Sequence, residues 1–157
     1  MGRAVVAIEY SLSVSGPTPV AQVAQRAVGD PRVPLTPWRD VLNADLSNSH
    51  GYSISVRQIR DAYFSAAGDS ESADELEWEV PIGVTVTYTL VNEPGWTVPA
   101  ERNMLASVAA VLAAGAEDAA LLQNGDVLLL TRVGGVVHKV RRDRWWAVVP
   151  GADEIIP

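Results

Sequence analysis

The 157-residue sequence contains no cysteine, which excludes disulfides, thiolate catalysis and cysteine-ligated metal sites. It has two histidines, and neither stands in a helical metal-binding pair such as H-E-x-x-H. We interpret His138 as a core residue and His50 as part of a turn. The sequence also lacks a phosphate-binding loop, a dinucleotide glycine pattern and a G-x-S-x-G motif. These absences predict a protein that is not an enzyme and that binds no metal and no cofactor.

Long apolar runs are missing as well. Glu9 interrupts the first run, which therefore does not fit a signal peptide, and Glu117 and Asp118 break the alanine- and leucine-rich run well short of a membrane span. Basic side chains are few, with 12 Lys and Arg against 19 Asp and Glu and a formal net charge of −7. That charge disfavours binding to nucleic acids and to anionic membranes. We therefore expect a cytoplasmic protein with no nucleic-acid partner and no membrane partner.

The sequence does contain clear strand and helix patterns. Period-two alternation of apolar side chains predicts strands over residues 3–14 and 84–90, the latter with threonines on a wet face. Residues 51–60 suggest a further strand, but VRQIRDAYFSA at residues 56–66 fits either a strand or a helix. Apolar positions at helical spacing, each set opening at a proline, predict helices over residues 18–28 and 99–114. The predicted fold is α+β, a mainly antiparallel sheet with two principal helices packed on one face.

We interpret residues 1–157 as a single α+β domain, whose order of elements suggests a strand–helix–strand pseudo-repeat over 3–60 and 80–132. Residues 29–50 contain three prolines and are predicted to form a loop, with a short helical turn near residues 38–46.

Residues 68–79, GDSESADELEWE, contain six acids and no base, a composition typical of a solvated loop. Such a loop is a candidate surface for a basic partner, because its carboxylates attract a positively charged cleft. Trp78 is the expected anchor within it. A hydrolase that uses these acids is a further alternative, and it requires a concave pocket with at least two carboxylates of raised pKa. The candidate partner-binding residues of this loop are Asp69, Glu71, Asp74, Glu75, Glu77, Trp78 and Glu79.

Residues 119–141 predict two consecutive hairpins. Asn124–Gly125 is a strong signal for a two-residue turn, because both central residues of that turn need positive φ, and Gly134–Gly135 supplies the second. In the resulting registers Gln123 faces Asp126, Leu122 faces Val127, Leu121 faces Leu128, Leu130 faces Lys139 and Arg132 faces Val137.

These registers divide the hairpins into two faces. One face should meet the helices, and it holds Ala120, Leu122, Val127, Leu129, Val136, His138 and Val140. The opposite face has leucines at its centre and cations at its edge. Either the tail, residues 145–157, covers it, or it is an exposed docking surface. The candidate residues of this alternative surface are Leu121, Leu128, Leu130, Arg132, Lys139, Arg141, Trp145 and Trp146.

Three segments together resemble a known family: AIEYSLSV at residues 7–14, GVTVTYTLV at 83–91, and MLASVAAVLAAGAEDAALLQNGDVLLLTRVGG at 104–135. They resemble the third class of Sit immunity proteins, polymorphic-toxin immunity proteins of myxobacteria and actinobacteria. The helix followed by a D-A-x-L-L-x-N-G hairpin is the most specific part. The resemblance implies a non-catalytic protein that binds and neutralises a cognate toxin, and it carries over no binding motif residue by residue.

Two functions are therefore expected. The first is immunity by protein–protein occlusion of a cognate toxin, with the acidic loop entering a basic cleft. The alternative is a ligand-binding or homodimeric assembly module that uses the amphipathic sheet face.

Overall fold

The computed structural model of the protein describes residues 8–69 and 74–157, so residues 3–7 of the strand predicted over 3–14 lie outside the described residues. Within them, eight strands form a sheet in the order β2-β3-β4-β5-β1-β6-β7-β8, with antiparallel neighbours throughout. The predicted α+β fold is confirmed. The strands are β1 (Glu9–Ser15), β2 (Thr36–Trp38), β3 (Val41–Leu46), β4 (Tyr52–Ala67), β5 (Asp74–Leu90), β6 (Ala119–Gln123), β7 (Val127–Val133) and β8 (Val136–Lys139). The helices are α1 (Val20–Val28), α2 (Thr97–Ala113) and α3 (Ala152–Ile155), and a π-helical turn spans Arg142–Trp146.

The main core lies between the sheet and helices α1 and α2. Successive residues of a strand point to opposite faces, so the even-numbered residues of the central strands share the helix side. The Tyr88 hydroxyl lies 2.7 Å from the Ser107 hydroxyl of α2, and Ser107 donates to the Ala27 carbonyl of α1 at 2.5 Å. These bonds fix both helices to one face, as predicted. The strand residues of this core are Tyr10, Leu12, Val14, Tyr52, Ile54, Val56, Val84, Val86, Tyr88 and Leu90.

The structure corrects the prediction for residues 29–50, where β2 and β3 form a hairpin beside β4 in place of the loop and helical turn. Arg39 in the connecting turn has a left-handed φ of 57°, so this turn forms without the glycine that signals most tight turns. Pro37 is accommodated because β2 is an edge strand, whose outer side needs no hydrogen-bond donor.

Beyond the sheet, β4 and β5 continue as a two-stranded arm formed by residues 62–67 and 74–80. The two segments pair with each other along the arm. One further pair, Ala67 with Val127, connects the far end of the arm to β7 in parallel orientation. The arm is therefore attached to the sheet at both ends, and it spans the face opposite to the helices.

The arm leaves the sheet at Asp61 and Pro81. Asp61 has a left-handed φ of 48°, and Pro81 lacks a backbone donor, so the regular ladder is interrupted on both strands. Gly83 lies beside this bend. A Cβ at Gly83 would be 2.4 Å from the Val14 carbonyl oxygen of β1, which explains why glycine is needed there.

A second, smaller core lies under the arm. Phe64 and Trp78 pack their rings 5.7 Å apart between centroids and cover apolar residues of β6 and β7. The hairpin β6–β7 is therefore apolar on both faces because one face meets the main core and the other meets the arm. The buried residues of the second core are Ala66, Ala120, Leu122, Leu128 and Val140.

The register of this hairpin differs from the prediction. Asn124 and Gly125 do have the positive φ values of 51° and 81°. However, Gln123 pairs with Val127, and an irregularity at Leu121/Leu122 shifts the pairing again. A one-residue shift moves a side chain to the other face of a sheet. The faces predicted for Leu121 and Leu122 are consequently exchanged: Leu121, Leu129 and Leu130 face the main core, whereas Leu122 and Leu128 face the arm.

The second hairpin has the predicted register, with Arg132 opposite Val137 and Leu130 opposite Lys139. The interpretation of His138 as a core residue is wrong. It lies on the edge strand β8 and is exposed, because within the described residues no strand pairs with the outer side of β8.

A buried charge network joins the end of α2 to the start of β6. The Glu117 carboxylate accepts hydrogen bonds from the Thr18 hydroxyl at 2.7 Å and from Arg26 at 3.0 Å. Arg132 of β7 donates to the Leu112 carbonyl at 2.6 Å and to the Glu117 carbonyl at 2.8 Å. The last turn of α2 thereby gains a donor for a carbonyl that has no partner within the helix.

Acid should weaken the fold through Glu117. Burial alone would raise the pKa of this carboxyl, but the hydrogen bonds from Thr18 and Arg26 outweigh it and hold the pKa below its usual value. A depressed folded-state pKa contributes stability that is present above the unfolded-state pKa of about 4.3 and is lost as the pH falls through the folded-state pKa. We expect the difference in unfolding free energy between the wild type and Glu117→Gln to shrink as urea titrations are moved from pH 6 to pH 3. A difference that stays constant over this range would contradict the assignment.

Candidate functional site

The acidic stretch is not a loop over its second half. Residues 74–79 belong to β5 and form one strand of the arm, where alternation sends neighbouring side chains to opposite sides. Glu77 and Glu79 point outwards, opposite Ser65 and Tyr63 of β4, and all four are exposed. We call these four residues the outer face of the arm. Glu79 also lines a pocket of about 250 Å³ beside Asp61 of β4, and Glu77 is not among the residues that line it. The hydrolase alternative stays a prediction.

The remaining residues of the predicted acidic loop have other surroundings. Trp78 packs inwards on Phe64 and the second core, so this half-buried ring anchors the arm to its own sheet. The Asp69 carboxylate accepts a hydrogen bond from the Arg141 amide at 2.8 Å, and the Asp69 carbonyl accepts one from Arg144. Asp69 thus ties the end of the arm to the turn after β8. Glu71 and the side chains of Asp74 and Glu75 lie outside the described part of the structure.

The alternative docking surface is buried within the chain, in agreement with the first of the two arrangements expected for this face, and it is not exposed. The tail covers one part of it: Trp146 donates to the Leu129 carbonyl at 2.9 Å, and the Lys139 ammonium lies 4.7 Å from the Trp146 ring centroid and 2.7 Å from Asp153. The arm covers Leu128, whereas Leu121 and Leu130 lie in the main core and Arg132 is bonded to the end of α2. The residues concerned are Leu121, Leu128, Leu130, Arg132, Lys139, Trp145 and Trp146, all buried, and Arg141, which is half-buried.

A groove of about 460 Å³ opens between the arm and the sheet face opposite to the helices. The floor of the groove is formed by odd-numbered residues of β1, β4 and β5. The arm forms the wall that faces this floor. Within the floor, the Thr85 hydroxyl is hydrogen bonded to the Ser13 hydroxyl of β1 at 2.7 Å, and both residues are buried. The groove is lined by Glu9, Ser11, Arg57, Ile59, Ala62, Tyr63, Phe64, Thr85, Thr87, Leu122, Asn124 and Gly125.

Strand register explains why this floor is polar. Ser55 of β4 stands opposite Thr87 of β5, and Thr87 stands opposite Ser11 of β1. One row further along, Arg57 and Ser13 flank Thr85 in the same way. The alternation of Thr and Ser with apolar residues predicted one wet face for these strands. The arm that turns this face into a groove was missed, because the acidic segment suggested a loop.

Buried tyrosines next to α2 serve as structural donors. The Tyr10 hydroxyl is hydrogen bonded to the Glu101 carboxylate and also accepts hydrogen bonds from Gln123 and Trp145. Burial and the neighbouring Glu101 raise the pKa of Tyr10, and burial raises the pKa of Tyr52 to about 12. Both hydroxyls therefore stay protonated at neutral pH and can donate hydrogen bonds.

Over residues 8–69 and 74–157, no group of three or more metal-ligating side chains occurs.

These features place the chain among small α+β proteins whose open surfaces are an acidic arm and a polar groove. The family model described as SitI3-like matches residues 8–150. The chain belongs to the SitI3-like family, which confirms the resemblance to the third class of Sit immunity proteins and covers more of the chain than the segments that first suggested it. No curated protein and no solved structure matched the chain. Within the described residues, no helix is both long and apolar enough to cross a membrane.

Proposed function

We propose that this protein is a cytoplasmic immunity protein that binds a cognate toxin and neutralises it by contact, without catalysis. The observation that carries the proposal is membership of the SitI3-like family over residues 8–150, nearly the whole described chain. The net charge of −7 supports a positively charged partner, because opposite charge accelerates encounter and favours correct orientation.

The outer face of the arm is the proposed first contact. Glu77 and Glu79 lie on the exposed outer side of the two-stranded arm, and neither is paired with a cation within the described residues. An exposed carboxylate pair suits the basic cleft of an enzyme that binds phosphates. Occupying that cleft would exclude its substrate, and this is the proposed mechanism of neutralisation.

Capture of the partner tests the proposal. The tagged chain should retain one stoichiometric basic protein from the source organism at low salt and release it at high salt, because exposed charges are screened. The proposal requires that the captured protein is toxic when produced alone. A captured protein without toxicity, or no captured protein at all, would contradict it.

The contribution of the acids is tested by the double variant Glu77→Gln/Glu79→Gln. Removing two steering charges should slow association with the captured toxin several-fold, roughly three- to tenfold, and should flatten its salt dependence. Stopped-flow mixing over a range of salt concentrations measures both quantities. The matched control is Asp40→Asn/Glu93→Gln, which changes the net charge equally at exposed sites in the β2–β3 turn and after β5. Equal slowing in both doubles would show that only net charge matters and would remove the arm from the proposal.

A further inference from the structure

Arg57 is the cation of the groove. It lies on β4 opposite Thr85, is exposed, and lines the groove together with the hydroxyl-bearing Ser11 and Thr87. Other arginines of the chain are engaged: Arg26 and Arg132 pair with Glu117, and Arg32 pairs with Asp30. Across the described residues, no carboxylate lies within 4 Å of Arg57.

The groove has opposite charges at its two ends. Glu9 lines the end near Asn124, and its backbone amide is held by the Asn124 side chain at 3.1 Å. By strand register, Glu9 stands two strands and four residues away from Arg57, which corresponds to roughly 15 Å. At that distance Glu9 does not neutralise Arg57. The electrostatic potential therefore changes from negative to positive along the groove. An extended segment would be favoured with its carboxylate at the Arg57 end.

We propose that this groove binds a protruding loop of the toxin, with an Asp or Glu side chain of that loop paired to Arg57. The guanidinium and the Thr87 hydroxyl supply donors for the carboxylate, and Phe64 of the arm covers the loop from above. This inference rests on the proposed function, since it names the part of the toxin that enters the site.

Two observations favour a protein loop over a small anion. The volume of about 460 Å³ accommodates several side chains, and it is far more than a carboxylate alone would fill. The groove also lies directly behind the outer face of the arm, so a partner that meets Glu77 and Glu79 would reach the groove from the same side of the sheet. Tyr63 belongs to both surfaces.

The charge is tested by Arg57→Gln against Arg60→Gln, each checked for folding by circular dichroism. Arg60 is an exposed arginine on the same strand that does not line the groove, so both variants lose the same charge three residues apart. We expect Arg57→Gln to speed dissociation of the captured toxin about tenfold or more, and Arg60→Gln to change it less than about threefold. Equal effects of the two variants, or no effect of Arg57→Gln, would overturn the inference.

The hydroxyls are tested by Thr87→Val against Thr89→Val. Both threonines are half-buried on the same face of β5, and only Thr87 lines the groove. Thr87→Val should weaken toxin binding several-fold, and Thr89→Val should leave it unchanged. If the wild type binds no toxin, the proposed function fails together with the inference. If the wild type binds and Arg57→Gln matches it, the inference alone fails. Full displacement of the toxin by millimolar free glutamate would indicate a small-anion site and would also overturn the inference.

Discussion

Replacing Trp146 by alanine should remove about 3–5 kcal/mol from the free energy of unfolding, as expected for an indole buried in a well-packed core. Trp146 is 1% exposed, packs edge-on against Trp145 with ring centroids 4.9 Å apart, and donates to the Leu129 carbonyl. Its loss also removes the ring beneath the Lys139 ammonium. The tail would then no longer cover β7 on the side of the main core. Because native proteins are stable by only about 5–15 kcal/mol, this is a large share of the total.

Urea denaturation followed by far-ultraviolet circular dichroism measures this loss without depending on tryptophan fluorescence. The control is Trp38→Ala, since Trp38 is 62% exposed on the edge strand β2 and contacts Arg39. We expect a cost of less than about 1 kcal/mol there. Similar values for the two variants would mean that the tail does not hold the sheet in the way described.

The second large effect is expected from Arg132→Met. The Arg132 side chain is 8% exposed, lies 3.7 Å from the Glu117 carboxylate, and donates to the Leu112 carbonyl at 2.6 Å. Methionine fills much of the volume but leaves the Leu112 carbonyl with the long 3.4 Å hydrogen bond from the Gly115 amide, and it leaves Glu117 with one cation fewer. Breaking a buried pair on one side costs about 3–5 kcal/mol, and the remaining contacts of Glu117 to Thr18 and Arg26 should place this variant near the lower value.

The same denaturation experiment applies to Arg132→Met, with Arg60→Met as the exposed control on β4. The control should stay within about 0.5 kcal/mol of the wild type. An Arg132→Met protein as stable as this control would show that the α2–β6 junction does not depend on its charges.

Much of the fold could be predicted from periodicity alone. The alternation in β1 and β5 reports burial on one face. Pro19 precedes α1 and Pro99 lies in the first turn of α2, so both helices were predicted close to their observed bounds. The existence of the central strands was also predicted, but β4 continues seven residues beyond its predicted end and β5 begins ten residues before its predicted start. The Gly134–Gly135 turn also fixed its register correctly, because two adjacent residues with positive φ leave few other turn geometries.

The rest depended on long-range contacts that the sequence does not display. Six acids between residues 69 and 79 suggested solvent on every side, yet Phe64 and Trp78 hold this segment on the sheet through a core contributed by β6 and β7. The irregularity at Leu121/Leu122 has no local signal, and it reassigned the faces of the hairpin. The groove could not be predicted from the strands alone or from the arm alone. It exists only because the chain bends at Asp61 and Pro81 and places the arm over the sheet face.

A two-sided arm also accounts for the composition of the acidic segment. Its alternate residues serve different purposes: Leu76 and Trp78 attach the arm, whereas Glu77 and Glu79 keep the other side charged and open. The charges on its outer face also discourage edge-to-edge pairing of this ribbon with other chains. The same strand thereby provides both the support for the groove and the surface proposed to meet the toxin.

Survival of cells that produce the captured toxin is the most direct test of the account. Colonies would be counted after induction of the toxin with this chain, without it, and with the Arg57→Gln variant at matched levels of soluble protein. The account predicts full protection by the wild type and none in its absence. Death of cells that contain abundant, folded wild-type protein bound to the toxin would contradict neutralisation, and with it the central claim.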